Sequence, residues 1–199
     1  PATAPTRTTD YKTSLKLDYV GGPQIGVATG GALGTGVAGG VAFAFSDELG
    51  NQTAQAAVQA NGQIRDIGGQ VQYINRARRW NWGMGVSHIP LAGGFATAEV
   101  VPISTGGETY DGVVYAQQII RQYYQNAQAI AQYPLSTTRR LEFSAGGQRV
   151  AFGQQVDSIF TIGNTVVRES RNNVPTAPAL TFATGSAAFV GDYALFAFT

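Results

Sequence analysis

The chain has 199 residues, a net charge of +1, no cysteine, 26 glycines and only 13% charged side chains. That charge share is about half of what a globular surface usually carries, and Gln, Asn, Ser, Thr and Gly fill the polar positions instead. Disulfides and cysteine-based metal sites are excluded, and no net field favours nucleic acid or an anionic surface.

The first segment, Pro1-Ala-Thr-Ala-Pro-Thr6, has neither an initiator Met nor the apolar core of a signal peptide. It reads as the start of a processed protein or a fragment. Residues 1–13 are expected to form a linker or disordered end, and residues 14–199 a single β-domain. Val20 to Phe45 is free of charge, but its nine glycines and one proline argue against a transmembrane helix, because each glycine costs about 1 kcal/mol in a helix interior. Alternation replaces it. Val37, Val41, Phe43 and Phe45 are mostly large, while Ala38, Gly40, Ala42 and Ala44 are small; this is the period of a strand.

The pattern recurs along the chain. Leu15, Leu17 and Tyr19 oppose Ser14, Lys16 and Asp18. Ala54, Ala56 and Val58 oppose Gln55, Ala57 and Gln59, and Val71 and Tyr73 oppose Gln70 and Gln72. Trp80, Trp82, Met84 and Val86 oppose Asn81, Gly83, Gly85 and Ser87. Turns are predicted at Ser46–Asn51, Asn61-Gly62 and Asn75–Arg79. Strand lengths of roughly 8–12 residues suit a membrane-crossing β-strand. Asp111 to Gln132 reads two ways: a strand to about Gln125 with a turn or short helical corner ending at Tyr133-Pro134, or a helix with an apolar stripe. Further strands are expected at Arg140–Ala145, Gln148–Phe152, Ser158–Ile162 with Thr165–Val167, Ala179–Phe182, Ala187–Val190 and Tyr193–Phe198. Arg168–Asn173 reads as a polar loop tip, and Pro175 and Pro178 bracket an extended lead-in.

The candidate motifs are few. Gly34-Thr-Gly36-Val-Ala-Gly39 fits the dinucleotide fingerprint, yet a strand follows instead of a helix and Gln59 stands where an acid is needed. Arg76, Arg78, Arg79, Trp80 and Trp82 form the one basic cluster interleaved with aromatics. This cluster could contact phosphates and stack bases, but a membrane interface explains it better: arginines reach headgroups and tryptophans join an aromatic girdle. His88 is the only histidine, so no two-histidine metal site exists. No G-x-S-x-G elbow occurs. Asp47, Glu48, Asp66, Glu108, Asp111 and Asp192 lie near turns, and nothing singles out a carboxylate pair for hydrolysis. Asn51-Gln-Thr53 is a glycosylation sequon by pattern alone.

Several motifs together resemble the bacterial surface antigen family of outer-membrane barrels: Leu17-Asp-Tyr-Val-Gly-Gly-Pro23, Phe45-Ser-Asp-Glu-Leu-Gly-Asn51, Gln59-Ala-Asn-Gly62, Tyr73-Ile-Asn-Arg76 and Arg79-Trp-Asn-Trp-Gly83. The form most similar is the barrel that follows a TolB-like β-propeller. Tyr133-Pro-Leu-Ser136, Arg140-Leu-Glu-Phe143 and Val190-Gly-Asp-Tyr-Ala-Leu-Phe196 extend the resemblance downstream. It implies an all-β, antiparallel up-and-down meander forming a complete or partial transmembrane barrel in a bacterial outer membrane, without catalytic residues or cofactor. The family runs on into more strands, so a propeller domain or a partner chain is expected to accompany this barrel and supply its closing strands. The expected function is that of a membrane anchor, pore or assembly scaffold, with the lipid bilayer as partner and no nucleic acid. A soluble β-sandwich or barrel used for binding or at the cell surface is the alternative, and a secreted hydrolase a weaker one.

Overall fold

A computed structural model describes residue 11 and residues 13–28, 36–61 and 64–192. Nine strands form one antiparallel sheet. They are β1 (Lys16–Ala28), β2 (Gly36–Ser46), β3 (Gln52–Asn61), β4 (Ile67–Asn75), β5 (Asn81–Thr105), β6 (Glu108–Pro134), β7 (Arg139–Ile162), β8 (Thr165–Val174) and β9 (Leu180–Gly191). Each of the first eight pairs with its neighbour in sequence, and β9 returns to β7. The meander expected from alternation is therefore present. The sheet does not close, because no pairing joins β1 to β8 or β9 among the described residues.

The long strands differ from expectation. β5, β6 and β7 have 25, 27 and 24 residues, about twice the expected length. No helix or helical corner interrupts residues 111–133, since β6 is extended to Pro134. The apparent helical stripe arises because Ile119 and Ile120, like Tyr123 and Tyr124, put apolar groups on both faces of one strand. Arg140–Ala145, Gln148–Phe152 and Ser158–Ile162 are parts of the single strand β7, and Arg168–Asn173 is not a loop tip but the body of β8. The predicted Tyr193–Phe198 strand lies outside the described residues.

Local chemistry sets the turns. β5 and β6 pair as far as Thr105–Glu108, leaving Gly106 and Gly107 as a two-residue hairpin loop with φ of 64° and 89°. Both values are left-handed, as the tight hairpin turn requires. Between β2 and β3, the Gln52 N–H donates to Asp47 Oδ1 at 2.8 Å and the Tyr11 hydroxyl to Asp47 Oδ2 at 2.7 Å. These bonds bury the Asp47 side chain inside the turn. The Gln52 N–H above all holds the Asp47 carboxyl below the usual carboxylate range, because the bond favours the charged form.

In β1 the register slips between Leu17 and Tyr19 and again between Gly21 and Gln24. Pro23 lies in the second slip, where its missing N–H costs no ladder bond. The first slip corrects the expected alternation. Leu17 pairs with Phe45 and Val20 with Phe43, while Tyr19 pairs with Ala44 and so shares the opposite face.

Paired residues of an antiparallel ladder point the same way, so the register reads out both faces. The front carries Phe45, Ala54, Tyr73, Met84, Ala129 and Ala145 in one row, then Phe43, Ala56, Val71, Val86, Ala127 and Gly147 in the next. The back carries Gln55, Gln72, Gly85, Gln128 and Gly146, then Ala57, Gln70, Ser87, Asn126 and Gln148. Among the described residues, little covers either face outside the upper front. Apart from Pro90, Ile119 and Val150 are the only buried apolar side chains of the core among the described residues. A water-soluble domain of this size buries about 70% of the surface its unfolded chain exposes.

Candidate functional site: a two-faced sheet and its charged upper end

The lower front is apolar and exposed. Val71, Trp82, Met84 and Val86 retain 53%, 41%, 56% and 58% of their accessible surface. At its lower end the β4–β5 turn carries the predicted interface residues. Trp80 packs against Tyr133, with ring centroids 5.0 Å apart, and reaches Phe143 at 6.4 Å. Trp82 meets Tyr73 at 5.4 Å. The Arg79 guanidinium sits 4.8 Å from the centre of the Tyr133 ring, a cation–π distance. Arg76 and Arg78 are exposed. The sequence pointed to Trp80, Trp82 and Arg79; only the strand register brings Tyr73, Tyr133 and Phe143 to them.

Ascending the front, the row Val58–Gly69–His88–Gln125–Arg149 ends the apolar zone. Arg149 Nη1 donates to Gln125 Oε1 at 2.9 Å, and the His88 ring stacks on Tyr123 at 5.9 Å. His88 Nδ1 lies 3.5 Å from Gln125 Nε2, and no group of three or more His, Cys, Asp or Glu residues able to hold a metal occurs among the described residues.

Above that row the front becomes charged. The β3–β4 connection ends in a short 3-10 turn (Ile64–Asp66) that approaches β5. There Asp66 Oδ1 receives a hydrogen bond from Arg121 Nε at 3.0 Å, and both side chains are about 95% buried, with exposures of 6% and 4%. Gln155 Oε1 accepts from Arg65 at 3.3 Å and lies 3.5 Å from Arg121 Nη1, while its amide nitrogen donates to Asp157 at 2.8 Å. Arg171 closes the chain on Asp157 at 3.0 Å.

The turn crosses the sheet where β5 is stripped of bulk. Ala92 and Gly94 stand in the rows of Arg121 and Ile119. Gly68, next to the turn, sits where a Cβ would come 2.7 Å from Pro90 Cδ and 2.9 Å from the His88 carbonyl, so no larger residue fits there without a shift. Sequence reasoning saw Asp66 only as an acid near a turn and missed its pairing with Arg121, which is 55 residues away.

The charged end has little of what carboxylate catalysis needs. Asp66 is bonded to an arginine. At Asp157, burial pushes the carboxyl up, but hydrogen bonds from Gln155 and Arg171 outweigh it and hold the group below the usual range. A glycosidase acid needs the opposite shift. The fingerprint glycines also lose their site: Gly34 and Thr35 lie outside the described residues, and from Gly36 onward the chain is a strand with no helix N-terminus to receive a phosphate.

No family model, curated protein or solved structure matches the chain.

Proposed function

We propose that this chain is part of the wall of an outer-membrane β-barrel, acting as anchor, pore or assembly scaffold rather than as an enzyme, and related to the bacterial surface antigen barrels its motifs resemble. One observation carries the reading. The sheet exposes rows of Val, Met, Trp and Phe on its lower front and uncharged amides with glycine on its back, and its described residues bury almost no apolar core. Lipid on one side and a hydrated lumen on the other would accommodate such a sheet. The cluster of Trp80, Trp82, Tyr73, Tyr133 and Arg79 then serves as the interfacial girdle at one end. The charged front above His88 lies outside the bilayer, where Asp66 and Arg121 avoid the cost of a charge in hydrocarbon. Lipid tolerates no unpaired strand edge, so β1 and β9 need closing strands from the same protein, a propeller-bearing neighbour or a partner chain.

The test is extraction. The protein is expected to partition into detergent and to migrate differently on gels before and after heating. A stable monomer in plain buffer would overturn the membrane reading. It would favour the second one, a soluble cell-surface binding module, which the charged upper front supports because such a surface belongs in water.

A further inference from the structure

The back of the sheet holds a feature that the wall reading does not use. Two hollows adjoin at Gln70, one of about 270 Å³ and one of about 510 Å³. Neither is lined by any Asp, Glu, Lys, Arg or His. The smaller one is floored by Gly83 and Gly85 and rimmed by Gln70, Ser87, Asn126 and Gln128. Among the described residues Gln72 is paired, donating to Gln55 at 2.7 Å. Among the described residues the side chains of Gln70, Ser87, Asn126 and Gln128, which line the smaller hollow, have no hydrogen-bond partner, so their donors and acceptors are available to a ligand.

We infer that these hollows bind a short uncharged saccharide. An ion is a poor occupant, since no formal charge lines either hollow and partnerless desolvation of an ion is costly. A purely apolar ligand is equally poor, because it would strand four polar side chains away from water. A sugar hydroxyl both donates and accepts, and each carboxamide offers two donors and an acceptor in return. Two hollows in line suit a ligand of linked rings, and volumes near the lower end of ordinary ligand sites, about 300–1,000 Å³, limit it to a short one. The inference does not depend on what medium meets the front of the sheet.

The experiment uses the full chain in detergent micelles, or in buffer if it proves soluble, with maltotriose as probe and side-chain amide NMR signals as readout. Binding is expected at millimolar concentrations, shifting the amide signals of Gln70, Asn126 and Gln128. Gly85→Leu, which fills the hollow, and Gln128→Leu, which removes a rim amide, are each expected to weaken it about tenfold, or ~1.4 kcal/mol. Phe45→Leu, on the front and outside both hollows, is expected to leave it unchanged. If Gly85→Leu fails to fold, Gly85→Ala substitutes for it, because a Cβ there meets its nearest neighbours at an ordinary 3.5 Å. A cationic glucosamine trimer and an anionic galacturonate trimer are expected to bind more weakly. The inference is overturned if maltotriose shifts no amide signal, if the hollow-filling variant binds as well as the parent, or if either charged trimer binds as tightly.

Discussion

The lower and upper halves of β5, β6 and β7 are continuous in backbone and opposite in chemistry. Below the row of His88, Gln125 and Arg149, the front bears Trp82, Met84, Val86 and Phe143 and the back bears Gly85, Gln128 and Asn126. Above it, Arg121, Gln155 and Asp157 occupy the front, while Leu91, Phe95, Ile120 and Phe152 appear on the back. A strand is indifferent to this exchange, since its hydrogen bonds use only the backbone. Its surroundings are not indifferent, so one ladder of strands can pass from one medium into another while its pairing continues.

The largest test of this contrast is the buried ion pair of the upper half. Removing one partner, as in Asp66→Ala or Arg121→Ala, leaves an uncompensated charge and is expected to cost about 3–5 kcal/mol. Urea unfolding would measure the loss, and hydrogen exchange should place it in the β3–β4 connection. The double variant Asp66→Leu/Arg121→Met should recover most of it; a cost below that of an exposed pair, about 0–1 kcal/mol, would mean that the turn is not docked.

Next comes charge on the lower half. If the proposed membrane placement holds, Met84→Arg on the front destabilises the protein in bilayers by about 2–4 kcal/mol, whereas Asn126→Arg on the back costs little. Equal costs would erase the distinction between the faces. Smaller still is Trp80→Ala, worth about 0.5–1.5 kcal/mol for each aromatic pair lost. Quenching of the remaining Trp82 by brominated lipid would support an interfacial place for this aromatic cluster; an unquenched Trp82 would count against it.

The smallest effect is acid lability at the β2–β3 turn. Because hydrogen bonding depresses the folded Asp47 pKa, its contribution is present above the unfolded value of about 3.9 and is lost as pH falls through the lower folded value. Thermal unfolding followed from neutral pH downward should show a slope that Asp47→Asn flattens; identical slopes would remove Asp47 from the account.

Sequence made the lower half legible and the upper half opaque for one reason. Where one face stays apolar, as at Phe43 and Phe45 or Met84 and Val86, period two is visible in any short window. Where the faces exchange character, the phase of that alternation breaks, and β6 and β7 look like several short pieces or a helix. The aromatic cluster was half visible because Trp80 and Trp82 adjoin Arg79, whereas Tyr133 joins them only through the pairing of β5 with β6. Arg121 and Asp66 carry no local signal, and their partnership exists only once the β3–β4 connection reaches over β5 to β6.

β8 and β9 lie along the same edge of β7, pairing with Gln154–Ile162 and Arg139–Val150 and running in the same direction. They amount to a single last strand broken by the segment from Pro175 to Ala179, with Thr176 Oγ1 tied to the Phe152 carbonyl at 3.1 Å. Every other strand pairing among the described residues joins neighbours in sequence, so the ladder can assemble hairpin by hairpin with modest loop closure. The break makes its final step two short zippers instead of one long one. Each can seat or fray alone, and hydrogen exchange should see the two edge segments open with separate free energies.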